Sequence, residues 1–243
     1  MRIIKLDAID STNTFLKEIS SADAIEDFTV IVANHQKKGR GQMGTNWDSQ
    51  KGKNLIVSVF KDVSFLEFEK QFYISIVTSL ALIKTLESFN IPKLSIKWPN
   101  DILSADKKLC GVLIENVIKK NALASSVIGV GLNINQLSFK SLPKASSMQV
   151  VSGKPYDLDE ILQIFLKQLK IYFKLLKGNK IEELKEEYEF NLFRKNKPST
   201  FRDEEGILFS GFIKGISEYG NLNVLLEDDI LKEFSLKKIT LLY

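Results

Sequence analysis

Apolar positions along the chain change period several times, and each change marks an element. Residues 28–33 (FTVIVA) form a short β-branched run of the kind that fills a buried strand, and residues 54–60 (NLIVSVF) form another. Between them, residues 34–53 are polar and glycine-rich, with no apolar period. From 67 to 89, apolar residues recur at Phe72, Ile76, Leu80 and Ile83, with Val77, Ala81 and Leu86 beside them; this helical spacing predicts the longest core-packed helix. Two strand-like runs, 94–98 and 109–118, flank a polar turn holding Pro99, Asn100 and Asp101, and 126–134 (SVIGVGLNI) predicts a further strand. Nearer the start, Ser11-Thr12-Asn13-Thr14 offers caps for a helix running to about Ile19. Helical stretches over 157–176 and 181–193 come later, the second laced with Lys and Glu in the manner of a solvated face. After a break at Lys195-Asn196-Lys197-Pro198-Ser199, short alternating runs separated by turn residues predict a small all-β barrel. The expected fold class is therefore α+β, with one domain over 1–195 and a barrel domain over 196–243.

Composition narrows the setting. With 44% hydrophobic and 26% charged residues, the chain has the balance of a soluble globular protein. Its 34 basic and 30 acidic residues leave a scattered formal charge of +4, which suits an acidic protein partner and does not call for nucleic acid. One cysteine permits no intrachain disulfide and fits a reducing compartment. Asp7 interrupts the N-terminus before a signal-peptide apolar region develops, and no run of about 18 apolar residues is present, so a cytoplasmic protein without membrane contact is expected. Cys110, on a predicted strand, is expected to be an inert core thiol. The only histidine, His35, is expected to pack or cap; one Cys and one His make neither a zinc cluster nor a histidine-based triad.

Gly39-Arg40-Gly41-Gln42-Met43-Gly44 matches G-x-G-x-x-G, and Asp62 lies 23 residues beyond Gly39. A dinucleotide fingerprint needs a strand turning tightly into a helix, whereas these glycines lead through turn-rich residues 45–52 into a strand. The arrangement is strand–loop–strand, and the dinucleotide reading is rejected. The loop still suits a ligand. Its glycines permit close approach of the backbone to an anion, Arg40 can bind a carboxylate or phosphate, and Trp47 offers a large apolar face.

The run Ile96-Lys97-Trp98-Pro99-Asn100-Asp101-Ile102, followed by Lys107-Lys108-Leu109-Cys110-Gly111-Val112-Leu113-Ile114-Glu115, carries the most information. Together with Ser11-Thr12-Asn13, the glycine loop and Ile128-Gly129-Val130-Gly131-Leu132-Asn133-Ile134, it resembles the biotin–protein ligase family. The five motifs stand in family order over positions 11–134, and the β-rich tail resembles the family's small SH3-like barrel; the resemblance is weakest from about 135 to 200. It implies a mixed β-sheet with flanking helices, of the class II synthetase or biotin–lipoate ligase kind, plus a C-terminal SH3-like β-barrel. It also implies an activity: ATP and Mg²⁺ convert biotin to biotinyl-5′-AMP, and biotin passes to a specific lysine of a biotin carboxyl carrier protein, a carboxylase subunit or domain.

Residue roles follow from the same resemblance. Ser11, Thr12 and Asn13 belong at the ureido end of biotin, and Gln36 matches a further ligand position. Arg40, Lys97 and Lys108 are the catalytic cations that bring two anions together, with Arg40 along the activated carboxylate and phosphate and Lys108 at the carboxyl or bridging oxygen. Gly39, Gly41, Gln42 and Trp47 supply the loop's share of the biotin and adenylate site; Gly111 suits a close ligand wall, and Asn133 is expected to touch the adenylate. Asp101 either orients a lysine or helps to hold Mg²⁺. One departure stands out: many family members carry arginine where this chain has Gln42, which cannot pair ionically with phosphate, so Met43, Trp47 or loop closure is expected to compensate. The substrate motif begins at residue 11, leaving no room for the N-terminal helix-turn-helix of bifunctional members, so no specific DNA binding is expected. Monomer and homodimer both remain open. The alternatives are a lipoate or octanoate ligase or transferase, disfavoured by KWPND and GRGQMG, and a non-catalytic biotin sensor, for which three site cations have no use.

Overall fold

A computed structural model describes residues 1–22, 24–139 and 142–243, apart from the side chains of Met43 and Asp228. The strands are β1 (Ile3–Leu6), β2 (Val30–Ala33), β3 (Asn54–Asp62), β4 (Leu94–Lys97), β5 (Asp101–Ser104), β6 (Lys107–Lys119), β7 (Ala122–Asn133), β8 (Pro198–Asp203), β9 (Leu208–Ile216), β10 (Leu222–Leu225), β11 (Leu231–Phe234) and β12 (Ile239–Leu242). The helices are α1 (Thr12–Ala22), α2 (Tyr73–Ser88), α3 (Met148–Ser152), α4 (Leu158–Lys177) and α5 (Ile181–Phe190). The first seven strands make one mixed sheet of order β1-β2-β3-β7-β6-β5-β4, in which only β1 and β2 are parallel. The last five make an antiparallel sheet of order β11-β10-β9-β8-β12, compatible with the expected SH3-like barrel.

Burial explains which helices lie where. One face of the large sheet packs with α2, α4 and α5 into the main core, where Leu80, Ile83, Ile128 and Leu169 are fully buried. On the other face, α1 sets Leu16 against Ile31 and Val127 in a smaller cluster. A cavity lined by Ser11, Thr12 and Asn13 opens beside it. Twelve of the sixteen residues of α2 are buried, because it lies between the sheet and two other helices. The longest helix, however, is α4 with 20 residues, a correction to the expectation for 67–89. The residues before α2 form a separate 3-10 turn, Phe68–Lys70, with no side-chain cap. By contrast α4 starts on a good cap, Asp157, whose carboxylate accepts from the Glu160 amide at 2.8 Å, and it runs to Gly178 with Lys174 and Lys177 in the last turn.

Other differences concern short elements. Residues 94–98 and 109–118 are separated by a whole strand, β5, rather than by a turn alone. Phe28 stands outside β2 with φ +59°, and α5 stops at Phe190. Residues 39–47 fold back on themselves as a small hairpin around one 3-10 turn, Gln42–Gly44, rather than entering an α-helix: the Trp47 amide donates to Gly39 O at 2.9 Å and the Gly41 amide to Thr45 O at 2.6 Å. No described helix is long and apolar enough to cross a membrane.

Candidate active site

The register of the large sheet assembles the site. Ile56 on β3 pairs with Gly131 on β7, Gly131 with Gly111 on β6, Gly111 with Asp101 on β5, and Asp101 with Lys97 on β4. Directly paired residues of adjacent strands share a face, so five strands lay one row across the sheet. It starts apolar, runs over two glycines and ends in a carboxylate and an ammonium. All five residues line a cavity of about 520 Å³. In a neighbouring row, Ser58, Gly129 and Leu113 pair in the same way.

The glycines here are required by what approaches them. A Cβ on Gly131 would stand 2.3 Å from Trp47 Cε2, and one on Gly111 would stand 3.1 Å from Trp47 Cζ3 and 3.2 Å from Lys108 Nζ. The Trp47 indole therefore lies against this floor, with its buried Nε1 unpartnered among the described residues. Lys108 and Gly111, three apart, would face opposite sides of a regular strand. The register shift between Ile102 and Leu103 leaves Leu109 without a partner of its own, and both residues then line the cavity. Lys108 Nζ lies 2.7 Å from Asp101 Oδ1, the contact that the first of Asp101's two expected roles requires. Lys97 titrates below the usual lysine range, chiefly because burial disfavours its charged form; Asp101 opposes that shift, and Lys108 and Lys144 add to it.

The polar end is built from α1. The Thr12 amide and hydroxyl lie 2.7 and 3.0 Å from Gln36 Oε1. Ser58 Oγ sits 2.7 Å from Thr12 Oγ1 and 2.6 Å from Asn13 Oδ1. Asn13 Nδ2 donates to Leu113 O at 3.2 Å and to Glu115 Oε2 at 3.0 Å, while Ser11 Oγ accepts from the Thr14 amide at 3.4 Å. Capping and cavity lining thus coexist in Ser11. Arg40 reaches the same glutamate, with its guanidinium 2.7 Å from Glu115 Oε2.

Ser11, Thr12, Asn13, Gln36, Arg40, Gly41, Gln42, Trp47, Lys97, Asp101, Lys108 and Gly111 therefore share one cavity. Gly39 does not line it; a Cβ there would meet Trp47 O at 2.3 Å, so the glycine serves the loop's fold. Asn133 is also outside the lining, and its Nδ2 donates to Ser146 O at 3.0 Å. The Met43 side chain lies outside the described residues. Cys110 is fully buried with its thiol pushed up by burial, and His35 stands away from the lining. Sequence reasoning gave no role to Ser58, Glu115 or Thr240. A polar residue in an apolar strand was the available signal for the first two; none marked Thr240.

The family model described as biotin/lipoate A/B protein ligase family matches residues 6–133, more than half of the chain. A bifunctional ligase/repressor BirA of Bacillus spizizenii is 32% identical over 168 residues, 68% of this chain and 51% of that protein. A biotin–[acetyl-CoA-carboxylase] ligase of Mycobacterium tuberculosis is 30% identical over 163 residues, 66% of this chain and 59% of that one. The chain thus spans between half and three-fifths of the length of these two relatives. A solved biotin protein ligase from Aquifex aeolicus, in complex with biotin and ATP, superposes with a TM-score of 0.83 at 29% identity and covers 99% of this chain and 98% of that one. On its motifs, its fold and the match over residues 6–133, the chain belongs to the biotin/lipoate A/B protein ligase family.

Proposed function

We propose that this protein is a cytoplasmic biotin–protein ligase, which activates biotin with MgATP and transfers it to a lysine of a biotin carboxyl carrier protein. The observation that carries the reading is the row Ile56–Gly131–Gly111–Asp101–Lys97, a flat apolar floor that runs straight into charge. A small bicyclic acid with an apolar body and an anionic tail matches that sequence of surfaces. The likeness to the Aquifex ligase, a protein solved with biotin and ATP, supports the same reading over 99% of the chain. We also take the chain as two units divided at 195/196, a catalytic domain and an SH3-like barrel.

Thr12, Asn13 and Gln36 bind the ureido group, with Ser11 beside them. The biotin carboxylate lies against Lys108 and Arg40 and attacks the α-phosphorus. An O–P bond forms as the bond to the pyrophosphate oxygen breaks. Lys97 and Lys108 offset charge that would otherwise keep the two anions apart, and they are already in place when substrate arrives. Arg40 is held by Glu115, but its side chain is 44% exposed, and such pairs are worth only about 0–1 kcal/mol, so an incoming anion can recruit it. Magnesium enters with the nucleotide as part of the substrate, and Asp101 is the residue that would help to hold it. The carrier's neutral ε-amine then attacks the acyl carbon, the bond to AMP breaks, and the amine proton passes to water. Loop 39–53, closed over the adenylate, keeps water from the anhydride.

The test is mass spectrometry of a purified carrier domain incubated with ATP, Mg²⁺ and each acid. One biotinyl group per carrier, dependent on ATP and lost in Arg40→Ala, is expected. A carrier labelled by lipoate or octanoate instead would move the substrate. A protein that binds biotin but labels nothing would be a sensor.

A further inference from the structure

Two residues without an assigned role meet beside Lys97, one of the residues that line the cavity. Lys144 belongs to the segment after β7: the Lys108 amide donates to its carbonyl at 2.7 Å, and Ala145 bridges to Lys108. Its ammonium lies 3.8 Å from the centroid of the Tyr243 ring and donates to a main-chain oxygen of the same residue. Lys97 Nζ lies 4.9 Å from that centroid. One ring thus carries two cations, an arrangement its quadrupole favours. The ring is fixed from behind by Phe193, edge-on at 5.1 Å, and its residue follows β12, which is paired along its length with β8. Thr240 of β12 lines the cavity, so this end of the small sheet is part of the site's wall.

Cations gather there. Asp101 is engaged by Lys108, while among the described residues neither Lys97 nor Lys144 has a side-chain carboxylate within ion-pair distance. Lys97 thus stands beside two further ammonium groups, and the burial and mutual repulsion that depress it would be relieved by a polyanion between them. Biotin's single carboxylate already has Arg40 and Lys108. Lys97 and Lys144 are then the cations left over for the leaving group of an adenylation reaction.

We propose that Tyr243 is a positioning residue which gathers Lys97 and Lys144 into a two-ammonium seat for the pyrophosphate end of the nucleotide. The proposal rests on reading the cavity as an adenylation site, but its first test does not need turnover. Inorganic pyrophosphate with Mg²⁺ is titrated calorimetrically into the full chain and its variants. Lys144→Ala and Tyr243→Ala should each weaken binding about tenfold, the effect of losing one charge-assisted contact. Lys144→Arg and Tyr243→Phe should bind like wild type, because charge and ring are kept. Wild-type affinity in Lys144→Ala, or equal losses in Tyr243→Phe and Tyr243→Ala, would overturn the proposal.

The second test splits the reaction. Lys144→Ala should raise the KM for ATP in adenylate formation and leave transfer from preformed biotinyl-5′-adenylate unchanged, since pyrophosphate has already gone. Equal slowing of both halves would make Lys144 merely structural and sink the idea. Absence of biotin-dependent turnover in wild type, with pyrophosphate affinity still falling in Lys144→Ala, would strike the proposed activity and support the seat.

Discussion

A methyl group added at Gly131 would stand 2.3 Å from Trp47 Cε2, and one added at Gly129 would stand 2.3 Å from Asn13 Oδ1. The two neighbours differ in what they can do. Trp47 belongs to a loop and can move aside, after which the methyl still blocks the floor. Asn13 sits in a helix packed on the sheet, tied to Ser58, Leu113 and Glu115. Gly131→Ala should therefore keep a near-normal urea midpoint while calorimetry shows weakened biotin binding. Gly129→Ala should lower stability by about 1–3 kcal/mol, as overpacking does, and an unchanged midpoint would contradict that. Gln42 lines the cavity where an arginine would add charge. A hydrogen bond to a charged group is worth about 1.5–3 kcal/mol, so Gln42→Arg should slow dissociation of the adenylate; an unchanged off-rate means position 42 does not control retention. Arg40, Lys97 and Lys108 could be read from their motifs. Glu115 could not be given its role, because that depends on Arg40, 75 residues away, arriving beside it.

At the level of elements, the β4–β5 hairpin and the irregular β5–β6 pairing do most to shape the chemistry. They set Lys97 opposite Asp101 and swing Lys108 to the same face. Neither feature was legible. Strand β5 has four residues and opens straight after Pro99-Asn100, which reads as turn, and a bulge leaves no composition signal. Strand β1, with the four residues IIKL, is likewise too short to show an alternating pattern. Long elements were legible because their burial repeats: β3 contains its expected span, and β7 and α2 cover most of theirs, although α2 begins only at Tyr73. Placing Lys97 at this hairpin has a measurable consequence. Burial disfavours its ammonium, so its charge is lost as pH rises through a value below the ordinary 10.5. The alkaline limb of pyrophosphate release should fall below that value, and Lys97→Arg, which stays charged, should move it upward. A limb identical in the arginine variant would show that another group sets it.

Across the whole molecule, the small sheet is keyed to the segment that carries Lys97 and Trp98. Trp98, next to Lys97, donates from Nε1 to Gly220 O at 2.9 Å, and the Tyr188 hydroxyl donates to Pro99 O at 2.7 Å. Gly220 has φ +83°, and a Cβ there would stand 2.0 Å from Phe72 Cγ. Both strain and contact demand glycine. Gly220→Ala should lower the urea midpoint and, by shifting Trp98 and its neighbour Lys97, raise the KM for ATP; a change in stability alone would argue that the two sheets are only neighbours. The alternating runs after residue 198 foretold a second β unit, but not that its turn at Gly220 and its strand β12 would border the cavity, since that follows from docking rather than from local pattern.

Pyrophosphate release from MgATP, measured with biotin, lipoate or octanoate for wild type and Lys108→Ala, tests the central claim most directly. The account predicts release with biotin alone and its suppression in the variant, whose lysine stands 2.7 Å from Asp101 on the cavity floor. Release driven by lipoate or octanoate, or undiminished in Lys108→Ala, would contradict it.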